Sequence, residues 1–269
     1  METGAKLLLG YLRREEESVK LSRLRAYATA DWEALLEVAK SHGSGPILYD
    51  ALKNYAAQLT LSAAELESLR GSYYAAAARN MRLYRQLLDT VALFNRSGLE
   101  VILLKGAHLA EAVYGNIALR SMSDVDLLVR QGDLKKVHQL LVSDGYSFAH
   151  DDVLSNTKHL APYRNDKGVY LEIHFHIADP PYADRIKIDQ MWNRARADRF
   201  QGVDVLTLSH EDLYLHLCLH SALQHGFEMG LVSCLDIAAF IEHCSEDTDW
   251  ELLWSRGCEW GIERSVYLM

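Results

Sequence analysis

Two aspartates, Asp124 and Asp126, lie one residue apart in an apolar stretch of the chain. Val125, Leu127 and Val129 alternate with them, so a β-strand here would place both carboxylates on one face. Two negative charges about 4 Å apart repel by roughly 4 kcal/mol at an effective dielectric constant near 20. The local sequence interleaves no Lys or Arg with the pair. A divalent cation would relieve the repulsion, and because protein-bound Mg²⁺ usually completes its shell with substrate phosphates, the pair indicates phosphate chemistry.

A second set of candidate residues lies upstream of the aspartates. An aliphatic strand over residues 99–104 is predicted to end at Lys105, Gly106 and Ala107, where a helical pattern begins. The Gly-Ala step would let a phosphate approach the backbone, and amide groups at a helix N-terminus favour an anion. Lys105 and Arg120 would add positive charge. We therefore expect donors and carboxylates to converge on one polyphosphate and its metal.

The stretch LLKGAHLAEAVYGNIALRSMSDVDLLV resembles the core of the DNA polymerase β type nucleotidyltransferases. More narrowly, it is similar to an uncharacterised bacterial nucleotidyltransferase family with a Lys-Gly-Ala turn and an Arg-x-x-x-Asp-hydrophobic-Asp-Leu-Leu-Val strand. Ala107 replaces the Ser or second Gly that is usual in the superfamily, and the spacing from turn to aspartates is longer than in most members. Both departures agree with the narrower family. The resemblance implies a metal at Asp124 and Asp126, and nucleotide binding by Lys105, Gly106, Ala107, Arg120, Ser123 and His174.

A third acid comes from the strand-like stretch VYLEIHFHI. Tyr170, Glu172, His174 and His176 would share one face of this strand, while the apolar residues between them face the core. In the superfamily that the chain resembles, a third acid on a neighbouring strand completes the metal site or acts as the base, and Glu172 matches that place. The resemblance thus makes Asp124, Asp126 and Glu172 the catalytic and metal-binding acids. Taken alone, the acids also fit ordinary solvated strand positions, where we expect little contribution to stability.

The composition limits the class of protein. A chain of 269 residues with 49% apolar residues can bury a substantial core as one compact body or two small domains. The net charge of −9 argues against broad electrostatic binding of nucleic acid. No apolar run reaches transmembrane length, and the N-terminus becomes charged too early for a signal peptide. We therefore expect a cytoplasmic protein without a membrane partner.

Cysteine and histidine patterns give no further metal site. The four cysteines show no CxxC spacing and are predicted to be reduced core thiols; they are Cys218, Cys234, Cys244 and Cys258. His216 and His220 have the four-residue spacing of zinc helices, but the Glu of HExxH and a third ligand are missing. We do not predict a zinc site.

Helical patterns dominate both ends of the chain. They cover residues 1–96, including a long run from 62 to 94 in which Asn80 is either solvated or in reach of the nucleotide, and residues 189–269, including QMWNRARADRF. We predict an α+β fold: a small mixed sheet forms a nucleotidyltransferase core over residues 97–188, embedded in an N-terminal helical region (1–96) and a C-terminal helical region (189–269).

The preferred hypothesis for function is metal-dependent nucleotidyl transfer. Mg²⁺ or Mn²⁺ would bind a nucleoside triphosphate, and the nucleoside monophosphate would pass to an acceptor with release of pyrophosphate. The acceptor is left open among protein, peptide, RNA end, antibiotic and small metabolite. Two alternatives keep the site: transfer of another group, such as a sugar, from a nucleotide-linked donor, and a non-catalytic nucleotide sensor or toxin-antitoxin type regulator. The oligomeric state and the preferred base have no signature in the sequence.

Overall fold

A mixed β-sheet forms the centre of the molecule in the computed structural model, which describes residues 16–148, 158–224 and 231–269. Within these ranges the sheet has seven strands, which are β1 (Ile102–Leu103), β2 (Asp124–Leu128), β3 (Ser147–Phe148), β4 (Tyr163–Arg164), β5 (Tyr170–His174), β6 (Arg196–Phe200) and β7 (Val203–Thr207). Their order across the sheet is β3-β4-β5-β2-β1-β7-β6. The predicted α+β class and mixed sheet are confirmed.

Helices surround the sheet from both ends of the chain. Those before β1 are α1 (Glu17–Arg25), α2 (Thr29–Ser41), α3 (Gly45–Leu52) and α4 (Ala63–Arg96). Those between the strands are α5 (Lys105–His108), which continues as a π-helical turn over Leu109–Val113, α6 (Leu134–Ser143) and α7 (Ile188–Arg194). Those after β7 are α8 (His210–Cys218), with a π-helical turn over Leu219–Gln224, then α9 (Leu231–Cys244), α10 (Trp250–Trp260) and α11 (Glu263–Leu268).

The two central strands, β2 and β5, run parallel, and their register sets the position of the candidate acids. Asp124 is paired with Tyr170 and Asp126 with Glu172. On the other side of β2, β1 runs antiparallel to it, and β1 also pairs with β7 in parallel. The pairing of β2 with β5 thus places Asp126 directly beside Glu172.

The alternation of residues in β2 sorts its side chains between two cores, as the pattern predicts. Val125 and Leu127 pack in the core formed with the C-terminal half of α4 and with α6. Leu128 packs in the opposite core with residues of α8, α9 and α10. Because successive side chains of a strand point to opposite faces, the carboxylate of Asp126, in the middle of the strand, lies on the same face as Leu128.

Helix α4 connects the N-terminal helices to the sheet. Its first turn is fixed by a capping box, in which the Ser62 hydroxyl accepts from the Glu65 amide and the Glu65 carboxylate accepts from the Ser62 amide. Its 34 residues give it a length of about 51 Å. Leu69 near its start packs in a separate core with α2 and α3, while Phe94 near its end packs against the sheet.

The stretch QMWNRARADRF is helical in its first part alone. Helix α7 ends at Arg194, and Arg196–Phe200 forms β6, a hairpin partner of β7. Gln201 and Gly202 both have positive φ, as a two-residue type I′ hairpin turn requires. Most of β6 is exposed at the edge of the sheet. Its polar residues therefore resemble those of an exposed helix face, which is why the sequence pattern predicted a helix. The sheet therefore extends past residue 188, and our three-region division of the chain stays a prediction.

Two further predictions can be compared with the described residues. Within them, no helix is both long and apolar enough to cross a membrane. The four cysteines are free, but only Cys218 and Cys244 are buried, while Cys234 and Cys258 are exposed. The prediction of reduced core thiols is therefore correct for two positions and wrong for the other two.

His108, in the last turn of α5, is a buried histidine with a strongly perturbed pKa. Its Nδ1 has no hydrogen-bond partner within the described chain, and burial lowers its pKa to about 4. An unfolded histidine has a pKa near 6.5. The folded state therefore binds fewer protons than the unfolded state between these two values, and stability is lost as the pH falls through about 6.5.

We predict that His108→Leu reduces the acid sensitivity of the fold. Between pH 7.5 and pH 5.0 the wild-type chain should lose about 2 kcal/mol more unfolding free energy than the variant, because only the wild type must protonate this site on unfolding. Urea titrations of both proteins at the two pH values measure the difference. Equal losses in the two proteins would contradict the assignment of a neutral buried imidazole.

Candidate active site

Asp126 is the most contacted acid of the predicted set. Lys105 Nζ lies 3.3 Å from its Oδ2, and His174 Nε2 lies 2.8 Å from its Oδ1. The side chain of Asp126 is only 8% exposed. Burial alone would raise the pKa of this carboxyl, but Lys105 and His174 together hold the pKa well below its usual range. Asp126 is thus an ionised, buried carboxylate, and our expectation of an exposed pair is wrong for it.

Glu172 joins the same cluster from the neighbouring strand. Its Oε2 lies 3.4 Å from His174 Nε2, and a quarter of its side chain (25%) is exposed. The hydrogen bond from His174 lowers the pKa of Glu172 more than burial raises it. Burial lowers the pKa of His174, but its bonds to Asp126 and Glu172 outweigh burial and raise the pKa. The Nε2 atom of His174 therefore lies between the carboxylates of Asp126 and Glu172 and donates its hydrogen toward them.

Three groups in this cluster can hold a metal ion together. One ligand atom from each of Asp126, Glu172 and His174 lies within 4.8 Å of the others, and among the described residues this is the group of three that meets that criterion. Asp124, which we predicted as a metal ligand, is not part of the group. It lines the same cavity, and burial, Asp126 and Glu172 all raise the pKa of its carboxyl. The structure thus places the three predicted acids around one cavity and adds His174 to the group of potential metal ligands that two of them form.

The turn that begins α5 lies against the cluster. Lys105 has φ +37°, a left-handed conformation that is uncommon for a residue with a Cβ. At Gly106, a Cβ atom would lie 2.9 Å from Arg120 Nη1 and 3.1 Å from Met122 Cγ. The Ala107 carbonyl accepts a hydrogen bond of 2.7 Å from Tyr84 Oη of helix α4. Position 106 favours glycine because a Cβ there would crowd the side chains of Arg120 and Met122, in the segment before the aspartates.

A cavity of about 390 Å³ contains the cluster. Eight of the nine predicted site residues line it, namely Lys105, Gly106, Arg120, Ser123, Asp124, Asp126, Glu172 and His174. Ala107 does not line the cavity. Met122, Lys158, His159, His220 and Gln224 also line it. The cavity combines three carboxylates with several cationic or imidazole groups, which is a mixture suited to a polyphosphate and a hard cation.

The chain matches the model of a family described as uncharacterised nucleotidyltransferases over residues 28–269. The match covers helices α2 to α4, the sheet and the helices that follow it, but not helix α1. The chain belongs to this family. A search of the curated proteins finds no match.

Several solved structures resemble this nucleotidyltransferase family member at low identity. The lincosamide antibiotic adenylyltransferase LnuA, solved with lincomycin bound, is 17% identical over 58% of this chain and 94% of its own, with a TM-score of 0.42. A nucleotidyltransferase-like antigen from Paracoccidioides brasiliensis is 16% identical over 60% and 76%, with a TM-score of 0.42. ANT(2")-Ia, in complex with adenylyl-2"-tobramycin, is 13% identical over 68% and 97%, with a TM-score of 0.45. The family assignment depends on the family model and not on these likenesses.

Arg120 is held in the nucleotidyltransferase by a partner that sequence reasoning did not assign to it. Its Nε and Nη2 donate to the two carboxylate oxygens of Asp236 at 3.2 and 2.9 Å. Tyr114 Oη donates to the same carboxylate at 2.9 Å. Arg120 and Asp236 are both largely buried. The pair joins helix α9 to the segment before β2. Because Nε and Nη2 both donate to Asp236, that edge of the guanidinium is already occupied.

Asn80 is a second positioning residue that we did not predict correctly. It is completely buried, and its amide nitrogen donates to the carbonyls of Ile117 and Arg120. Its amide oxygen accepts from the Met122 backbone at 3.2 Å. These bonds fix the irregular segment that leads to Asp124. The only sequence signal was a polar residue on a helix face whose neighbours one turn away are apolar.

The histidines of helix α8 do not form a zinc site with other described residues. His220 lines the cavity. His216 is buried, and neither of its ring nitrogens has a hydrogen-bond partner within the described chain. Burial, with the nearby Lys105, lowers the pKa of His216 well below its usual value. His216 is thus a neutral, buried imidazole, and the absence of a zinc site stays a prediction.

We predict that Gly106→Ala destabilises the fold by about 1–3 kcal/mol, because the added methyl group overpacks against Arg120 and Met122. Gly71→Ala is the matched control. Gly71 lies inside helix α4, and an added Cβ there would meet no atom within 4 Å. This control should stabilise the chain by about 0.5–1 kcal/mol. Urea unfolding of both variants measures the opposite signs, and a neutral or stabilising Gly106→Ala would contradict the close packing.

Proposed function

We propose that this chain catalyses metal-dependent transfer of a nucleoside monophosphate from a nucleoside triphosphate to an acceptor. The observation that carries the proposal is the register of β2 and β5, which sets Asp126 beside Glu172 in a cavity that also contains Asp124 and Lys105. An oxygen of the acceptor forms a bond to the α-phosphorus, and the bond from that phosphorus to the bridging oxygen breaks. Pyrophosphate leaves with the electron pair, and the acceptor's proton passes to a base.

The donor set fits a hard divalent cation. Asp126 and Glu172 offer carboxylate oxygens within 4.8 Å of each other and of His174, and Asp124 adds a third carboxylate to the same cavity wall. Oxygen ligands of this kind suit Mg²⁺ or Mn²⁺. The pKa of Asp124 is raised by burial and then by its two acidic neighbours. A bound cation would relieve the repulsion from those neighbours. When bound, the ion supplies charge neutralisation for the phosphates and for the leaving oxygen.

The chain's own groups bind and orient the triphosphate. We assign this role to Lys105, Gly106, Ser123 and His174, which line the cavity, with a smaller contribution from Arg120. Lys105 lines the cavity and offers a compact positive charge, which contacts Asp126. Arg120 contributes less net charge because Asp236 balances it, and its function is to hold the segment before β2 in place. Donors preorganised in this way stabilise charge that develops during transfer.

Glu172 is the proposed proton acceptor. It is more exposed than Asp126 and His174, the other two members of the cluster, and its lowered pKa keeps it ionised at neutral pH. A base must lie within hydrogen-bond reach of the proton that it removes, and Glu172 lines the cavity that would receive the acceptor.

We predict that Asp124→Asn and Glu172→Gln each lower turnover at least a hundredfold while the fold is retained. Neither side chain forms a close pair with Lys or Arg in the described structure, so the loss of one charge costs little stability. The assay incubates the chain with Mg²⁺, each α-³²P-labelled triphosphate in turn, and a fractionated cell extract as the source of acceptor. Label in a product, with equal pyrophosphate release, measures nucleotidyl transfer.

The controls for this assay separate the alternatives. Glu100→Gln, at an exposed acid that pairs with Arg130, should leave turnover unchanged. In a parallel incubation that replaces the triphosphate with a ³²P-labelled nucleoside diphosphate sugar, release of labelled nucleoside diphosphate would instead indicate group transfer from a nucleotide-linked donor. Full activity in Asp124→Asn or Glu172→Gln would exclude the proposed roles of these acids, whatever the reaction.

A metal-binding measurement tests the cluster without an acceptor. We predict that wild-type chain with ATP binds Mn²⁺, observed by electron paramagnetic resonance, and that Glu172→Gln and Asp124→Asn each weaken binding about tenfold or more. Asp126→Asn should also lose binding, but it leaves Lys105 without its buried partner and is expected to destabilise the fold by about 3–5 kcal/mol. Mn²⁺ affinity that is unchanged in all three variants would place the ion elsewhere.

A further inference from the structure

A second cavity, of about 320 Å³, lies between helices α2, α3 and α4. It is at the lower end of the range of small-molecule sites. Ser121 lines it, and the residues on either side of Ser121, Arg120 and Met122, line the candidate active site. The two cavities therefore lie against the same short segment of chain, the one that Asn80 holds in place.

The charged side chains that line this cavity, Lys40 and Arg79, are both cationic. No Asp or Glu of the described chain is among its lining residues. Both residues are exposed, and neither forms an ion pair with a described acid. In a chain with a net charge of −9, two cations that share one cavity without an acid create a local site for an anion.

The rest of the lining separates into hydroxyl groups and an apolar wall. Ser68, Ser72 and Ser121 supply the hydroxyls. Ser72 donates its hydrogen to the Leu69 carbonyl, so its oxygen faces other groups as an acceptor. Leu69, Ala76 and Pro46 form part of the apolar wall. A ligand that fits this cavity has an apolar body as well as a charged end.

The backbone at one wall is shaped for close approach. At Gly45, a Cβ atom would lie 2.7 Å from Ser72 Oγ, so glycine lets the start of helix α3 pack on α4 beside the cavity. The positive end of the α3 dipole then faces the same space as Lys40 and Arg79. The dipole alone would make no site, but it acts in the same direction as the two unpaired cations.

We propose that this cavity is a second ligand site, which binds a small organic anion with an apolar body and a carboxylate or phosphate group. Lys40 and Arg79 bind the charged end, and the wall around Leu69 and Ala76 covers the apolar part. The site goes beyond the proposed nucleotidyl transfer, and its test needs neither nucleotide nor metal. Failure of one proposal therefore leaves the other intact.

Ligand-observed NMR titration of the nucleotide-free chain tests the site with four probes. Phenyl phosphate and benzoate carry an apolar ring and an anion, benzyl alcohol carries the ring without charge, and inorganic phosphate carries the charge without the ring. We expect at least one aromatic anion to bind ten times more tightly than benzyl alcohol and inorganic phosphate. Preference for phenyl phosphate assigns a phosphate ligand, and preference for benzoate assigns a carboxylate.

Variants locate the binding. Lys40→Gln and Arg79→Gln should each weaken binding of the preferred anion at least threefold, and Ala75→Trp, at an exposed lining position, should abolish it by filling the cavity. Arg82→Gln is the matched control, because Arg82 is exposed on the same helix but does not line the cavity. Surface substitutions of this kind leave stability within about 0.5 kcal/mol. Equal binding of benzyl alcohol and the anions, or unchanged affinity in Lys40→Gln and Arg79→Gln, would overturn the proposal.

Discussion

The structure of this site depends on the buried carboxylate of Asp126, whose charge other groups must compensate. Removing a carboxylate from water costs several kcal/mol unless other groups compensate for it. Asp126 is compensated on one oxygen by Lys105 and on the other by His174. Lys105 is presented by the turn after β1, and His174 by the end of β5. The cluster of Asp126, Lys105 and His174 therefore forms only where β2, the turn after β1 and the end of β5 lie together. The strand register and the left-handed backbone at Lys105 both place these segments in contact.

The surrounding elements hold those segments from outside the sheet. Helix α4 reaches the turn through Tyr84 and the segment before β2 through Asn80. Helix α9 reaches the same segment through Asp236 and Arg120. Each contact joins a side chain on a rigid helix to irregular backbone, so the helical regions position the site as well as covering the sheet. A cluster supported in this way is preorganised, which is what charge stabilisation during catalysis requires.

The sequence predicted those parts of the site that depend on local pattern. Alternation placed the acids of β2 and β5 on strand faces, and glycine marked the turn. It predicted that Lys105 and the aspartates converge, but not that Asp126 is buried, because the direct contacts of its two oxygens with Lys105 and His174 arise only from the pairing of β2 with β1 and β5. Asn80 had an ordinary helical context, so its backbone partners were not predictable, and nothing in the sequence identified Arg120 as the partner of Asp236. The edge strand β6 was also missed, since exposed polar residues on a strand resemble a solvated helix.

The balance of charge in the cavity explains how an acidic chain can still bind a polyphosphate. At physiological ionic strength, exposed charges are largely screened beyond about 8 Å, so the net charge of −9 acts weakly on a ligand already inside a cavity. There the local charges decide: Lys105, Arg120 and Lys158 line the cavity together with the three carboxylates Asp124, Asp126 and Glu172, whose charge the proposed divalent ion would offset. A long nucleic acid would meet the acidic surface over many phosphates at once, without the counterion release that favours binding. The same local charges thus favour a compact nucleotide over an extended polymer as the ligand of this site.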